Sequence, residues 1–123
     1  MGPGGRRSED GRAAEELAER HLRANGLAIV ERNVHSRHGE LDLVARDGAT
    51  IVFVEVRLRR PGGFGDAADS ITATKRGRLV AAAQEYLARL PRTPACRFDV
   101  VLLDALDASR IVWLRDAFQA DAC

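Results

Sequence analysis

The segment Thr50–Leu58, TIVFVEVRL, constrains this chain more than any other stretch. Apolar side chains occupy both parities through its centre. Both faces of such a strand therefore need cover, which places it in the middle of a sheet and not at a plain edge. Immediately upstream, Asp47-Gly48 is a strong hairpin signal. Before it, Glu40–Arg46 (ELDLVAR) alternates as a partner strand. A buried central strand that carries a glutamate at Glu55, beside a strand that carries Asp42, is the feature around which the rest must be arranged.

The flanking segments complete a pattern. Asp10 to Asn25 has Ala14, Leu17, Ala18, His21 and Leu22 at helical spacing, and Asn25-Gly26 supplies a stop. Leu27 to Val34 is a first strand. Pro61 to Gly65 (PGGFG) breaks the chain. A second helix is expected over Thr72 to Leu90, with Leu79, Val80, Ala83, Tyr86, Leu87 and Leu90 on one face, ended by Pro91 and Pro94. Phe98 to Leu103 is a fourth strand and Ile111 to Leu114 a short fifth. The order predicts an α/β sandwich with a mixed central sheet. At 123 residues it forms one domain, here taken as residues 10–120 behind a disordered tail over 1–9. No apolar run is long enough to cross a bilayer and no signal-peptide pattern opens the chain, so the cytoplasm is the expected location. Neither Cys96 nor Cys123 suggests a disulfide or a zinc site.

With Asp47-Gly48 as the two-residue loop, Asp42 faces Phe53 and Glu40 faces Glu55. Directly opposed and alternate residues share a sheet face. Glu40, Asp42, Glu55 and Arg57 then point one way, and Leu41, Leu43, Val52, Val54 and Val56 the other. Asp42 and Glu55 become diagonal neighbours. Gathered carboxylates repel and resist desolvation, so they require a wet face, a compensating arginine or a bound cation. Oxygen-only ligands with open positions suit Mg²⁺ or Mn²⁺. A solvated face of charged side chains accounts for the spacing as well, because alternating charged strands are common.

Several motifs carry a resemblance: Gly11 and Glu15, Asn33, Gly39-Glu40-Leu41-Asp42-Leu43, Phe53-Val54-Glu55-Val56, Phe64-Gly65, Lys75 and Arg97-Phe98-Asp99. From about Gly11 to Trp113 the chain resembles the YraN-like family of small bacterial proteins, a branch of the PD-(D/E)xK nuclease superfamily close to Holliday-junction resolvases. The resemblance implies a restriction-endonuclease-like αβββαβ fold. It makes Asp42 and Glu55 the motif carboxylates and Glu15 a helix-borne third ligand of one or two divalent ions. Such ions activate water and stabilise the leaving oxygen of a phosphodiester. The partner implied is a nucleic acid, DNA first, and resolvase-like relatives act as dimers.

One departure stands out. The family motif has lysine two residues after the glutamate, where this chain has Arg57. Arginine keeps its proton and cannot act as a base, although it can pin a phosphate. Three readings stay open. Water is activated at the ion without a lysine; Lys75, the only lysine in the chain, reaches the site from the second helix; or the fold is kept and cleavage lost. Arg57, Arg59 and Arg60, with Lys75, Arg76 and Arg78, are candidates for a groove along a phosphate backbone, and a solvated basic surface is the competing account. Phe64 is a candidate wedge between bases or a core residue folded back. His35 and His38 are read as solvated loop residues, Tyr86 as core, and Asp99 as a partner of Arg97. The functional expectation is a metal-dependent endonuclease on structured DNA. Its rivals are a non-catalytic nucleic-acid-binding module and a scaffold that self-associates through a sheet edge.

Overall fold

A computed structural model of the chain describes residues 9–59 and 71–118, with Arg59 described by its backbone alone. Helix α1 (Glu9–Ala24) precedes strands β1 (Ala28–Ser36), β2 (Gly39–Asp47) and β3 (Thr50–Arg59). Helix α2 (Ala73–Ala88), β4 (Cys96–Asp104), a 3-10 turn (Ala108–Arg110) and β5 (Ile111–Phe118) follow. The strands form one sheet in the order β1-β2-β3-β4-β5. Only the β3–β4 neighbours are parallel. A parallel pair needs a crossover, and α2 lies within the one that joins these strands. The fold is the expected α/β sandwich with a mixed central sheet, in the αβββαβ restriction-endonuclease-like arrangement with β5 added at the edge.

The two faces have separate cores. On one, Ala14, Ala18 and Leu22 of α1 pack over Leu43, Ala45, Val52, Val54, Val101 and Leu103. On the other, Leu79, Ala82, Ala83, Tyr86 and Leu87 of α2 cover Val44, Ile51, Phe53, Phe98 and Val100. β3 feeds both cores, which is what its doubly apolar centre demanded. Leu17 and His21, placed in the α1 stripe from sequence, are only half-buried, and two glutamates, Glu15 and Glu19, are buried there instead. The helix ends where expected. Gly26 (φ 95°) lets Leu27 N–H reach Leu22 O at 3.1 Å and Gly26 N–H reach Arg23 O at 3.0 Å, a Schellman closure.

Three sequence expectations change. Glu9, assigned to the tail from sequence, belongs to α1, and residues 1–8 lie outside the described residues. The hairpin turns on Gly48-Ala49, with Asp47 paired to Thr50 and Val44 to Phe53. Gly48 has φ 61°, so it takes the first central position of the turn, where a II′ hairpin requires glycine. Finally, Cys96 is disulfide-bonded, contrary to the reading that neither cysteine pairs, and Cys123 lies outside the described residues.

Tyr86 is a core residue, as read, but it also has a polar task. Its ring meets Phe53 edge-on at 5.8 Å and its hydroxyl donates to Glu31 at 2.9 Å, fastening α2 to β1. Tyr86→Phe keeps the packing and loses that bond. It is expected to cost about 1 kcal/mol in urea unfolding, without changing the denaturant slope.

Candidate functional site

The site forms where β2 and β3 part. Their regular pairing runs from Asp47↔Thr50 to Leu43↔Val54 and stops. The next positions along the two strands are Asp42 and Glu55. Beyond them β2 stays with β1, through Val34↔Leu41, His35↔Glu40 and Ser36↔Gly39. β3 stays with β4 as far as Arg59↔Asp104. The ladder bond that would continue the β2–β3 seam is replaced by a side chain, for Asp42 Oδ2 accepts the Val56 N–H at 2.9 Å. The one-residue shift of the turn thus turns the expected diagonal relation of Asp42 and Glu55 into a direct one. The Asp42 carboxylate lies close enough for its charge to act on the Glu55 carboxyl. Leu41 does not point with Leu43 as strict alternation predicted. It joins the α2-side core while Leu43 joins the α1-side core, so the side-chain pattern of β2 reverses across Asp42.

Cations close over this pair from two directions. Lys75 Nζ, in the first turn of α2, stands 2.9 Å from Glu55 Oε2, and Arg57 Nε stands 3.7 Å from the same oxygen. Thr72 caps α2 by accepting the Lys75 N–H at 3.1 Å, which fixes where that lysine begins. Asp42 and Glu55 are nearly sealed from solvent (8% and 6% exposed), whereas Lys75 keeps 39% of its side chain exposed. Burial, and next the Asp42 charge, push the Glu55 carboxyl up to about 7, against the pull of Lys75.

That shift has a consequence for stability. The folded protein holds a proton on Glu55 that the unfolded chain, at the ordinary value of 4.5, has released. Stability from this group is therefore full below about pH 4.5 and declines as pH rises through 7. In chelator, urea unfolding is expected to weaken between pH 5 and pH 8 by up to about 3 kcal/mol. Glu55→Gln is expected to flatten that decline, with Asp42, Lys75 and Arg57 left in place around it. An equally steep decline in the variant would assign it to another group.

Comparison with known proteins now places the chain. The model of the uncharacterised protein family UPF0102 matches residues 14–103, which include α1 from Ala14, the whole β2–β3 hairpin and α2. The chain belongs to the UPF0102 family. It is 50% identical over 117 residues to a UPF0102 protein of Nitrosococcus oceani, covering 93% of this chain and 94% of that one. It is 54% identical over 118 residues to one from Cupriavidus taiwanensis, covering 94% and 87%. A Methylobacillus flagellatus UPF0102 protein is 52% identical over 107 residues, covering 87% and 94%.

In this UPF0102 chain the remaining candidates fall in different places. Glu15 is buried on α1, where its carboxylate accepts from Asn33 Nδ2 at 3.0 Å. It does not complete a three-acid cluster with Asp42 and Glu55. Among the described residues no group of three or more His, Cys, Asp or Glu side chains is set to hold a metal ion. Arg76 and Arg78 are exposed on the first turns of α2, beside Lys75. Arg59 continues β3 past the opening, opposite Asp104, while Arg60 and Phe64 lie outside the described residues. Glu40 and His35, 3.2 Å apart, pair across β1 and β2 at the rim, and His38 stands 3.8 Å from Glu85.

Two buried acids escaped the sequence reading in part. Glu19 takes Arg32 through two bonds, at 2.5 and 2.6 Å, and Arg23 at 2.7 Å. Its helical spacing from Glu15 was the available signal. Asp99 pairs with Arg97 as read, at 3.0 and 3.2 Å, but it also accepts Trp113 Nε1 and the Asp116 N–H, both at 2.9 Å. Among the described residues no helix is long and apolar enough to cross a membrane.

Proposed function

We propose that this chain is a metal-dependent phosphodiesterase acting on nucleic acid, with structured DNA as the first candidate substrate. One observation carries the reading. The carboxyls of Asp42 and Glu55 meet where two central strands part, and Lys75 Nζ stands 2.9 Å from Glu55. Two carboxylates facing a gap form an oxygen donor set that suits Mg²⁺ or Mn²⁺, which bind through one or two carboxylates and keep several waters. Lys75 already stands where positive charge is favoured, which supports a cation site at the pair. A bound divalent ion supplies Lewis-acid polarisation of the phosphoryl oxygens.

The protein's own groups have distinct tasks. Asp42 and Glu55 would hold the ion, and Asp42 keeps its orientation through the Val56 N–H. Arg57 is always charged, so it pins a non-bridging phosphate oxygen and takes no proton. With an ion held by the two carboxylates, Lys75, now paired with Glu55, would be free to orient the attacking water or the phosphate. Of the three readings of the missing motif lysine, this geometry favours supply from α2. Arg76 and Arg78 extend positive charge along the phosphate track, on which nucleic-acid affinity falls with salt. A protein acting on cellular DNA is expected in the cytoplasm, and a substrate with two strands to cut is expected to call for a homodimer, by analogy with resolvases.

The test is a cleavage panel of duplex, flap, single-stranded and four-way-junction DNA, with Mg²⁺, Mn²⁺ or chelator. Metal-dependent cutting that Lys75→Met abolishes is expected. A second reading, a binding module without cleavage, is favoured by Arg57 standing at the lysine position. It predicts binding indifferent to metal and no cutting by any form. Gain of activity in Arg57→Lys over the unaltered chain would mark a weakened enzyme.

A further inference from the structure

The reversal of side-chain pattern at Asp42 has a partner on β1. Arg32↔Leu43 and Val34↔Leu41 bracket a single cross-strand position, which sets Asn33 opposite Asp42. Arg32 reaches Glu19 on α1, whereas Val34 joins the α2-side core, so the pattern of β1 reverses at Asn33 just as that of β2 reverses at Asp42. Asn33 has φ 50°, a left-handed backbone in the middle of a strand. Asparagine tolerates that region and β-branched residues do not. Its side chain is also engaged, since Nδ2 donates to the buried Glu15.

A left-handed residue rotates the strand that follows it. Here both strands turn together at one cross-strand position, and they remain paired on either side of it. The turn on β2 is what takes Asp42 out of the regular ladder and toward the Val56 N–H. We propose that Asn33 is the positioning residue of the site: its left-handed backbone turns β1 and β2 together so that the Asp42 carboxylate leaves the ladder for β3, and its amide holds Glu15 of α1. The metal-binding consequence rests on the reading of Asp42 and Glu55 as ion ligands; the backbone claim does not.

The two roles separate by substitution. Asn33→Gly keeps access to the left-handed region and removes the amide. Asn33→Val removes both, and Asn33→Ala is the milder form if the valine variant does not fold. The first readout needs no metal: hydrogen-exchange protection of the Val56 amide relative to the Val52 amide in the intact part of the sheet. Asn33→Val or Asn33→Ala is expected to lower that ratio by about 10-fold, the equivalent of the left-handed penalty for an ordinary residue. Asn33→Gly is expected to restore it. Mn²⁺ titration of the same proteins should show affinity lost with valine or alanine and largely kept with glycine. An unchanged Val56 ratio in both Asn33→Val and Asn33→Ala would overturn the proposal. Failure of the unaltered protein to bind Mn²⁺ would overturn the metal reading instead, with the Val56 amide still deciding the role of Asn33.

Discussion

Asp99→Ala is expected to destabilise the protein by about 3–5 kcal/mol, the loss typical when one partner of a buried ion pair is removed. Asp99 is fully buried (0% exposed), and four donors converge on it: Arg97 Nε and Nη2, Trp113 Nε1 and the Asp116 N–H. The Asp116 bond matters because Asp116 has φ 52° and sits where the β4–β5 register slips between Phe98 and Val100. Removal of the carboxylate leaves a half-buried guanidinium short of a partner and frees the bulge that holds β5 to the sheet. Arg97 keeps Asp47 at 2.9 Å, which moderates the loss. Asp99→Asn should cost less, since the amide oxygen still accepts from Trp113. Urea unfolding measures both. A change under about 1 kcal/mol in Asp99→Ala would mean that the network is ornamental.

Asp42→Ala and Glu55→Gln are expected to reduce metal-dependent cleavage by about 10²–10³-fold or more, the scale of removing a group aimed at developing charge. The effect of Glu55→Gln on stability should run the other way from Asp99→Ala. In metal-free protein at pH 8, Glu55→Gln relieves a buried charge that faces Asp42, while Lys75, partly exposed, returns to water. That variant should be as stable as the unaltered chain or more so, the pattern expected where a site is held at the expense of the fold. Lower stability accompanying lost cleavage would instead make Glu55 a structural residue paired with Lys75.

The architecture was legible because its strongest signals were physical and local. TIVFVEVRL can only be a covered strand, and the α2 stripe has one consistent period. The even-odd assignment that brings Asp42 and Glu55 together survived a wrong turn, since moving the loop from Asp47-Gly48 to Gly48-Ala49 shifts the facing pairs by two residues and preserves the face. What the sequence did not yield was non-local or irregular. The reversal at Asn33 and Asp42 breaks strict alternation, so Leu41 was placed on the wrong side. Glu15 was brought forward by family resemblance, and the structure directs it to Asn33. Lys75 was one of three alternatives, and nothing along the chain fixes the distance between an α2 first turn and the end of β3.

The most direct test is calorimetric titration of Mn²⁺ into chelator-stripped protein at pH 8, above the Glu55 midpoint of about 7. Saturable binding in the millimolar range or tighter, lost in Asp42→Ala, is the predicted result. Absence of heat at millimolar Mn²⁺, or binding unaltered by Asp42→Ala, would contradict the assignment of this carboxylate pair as a metal site.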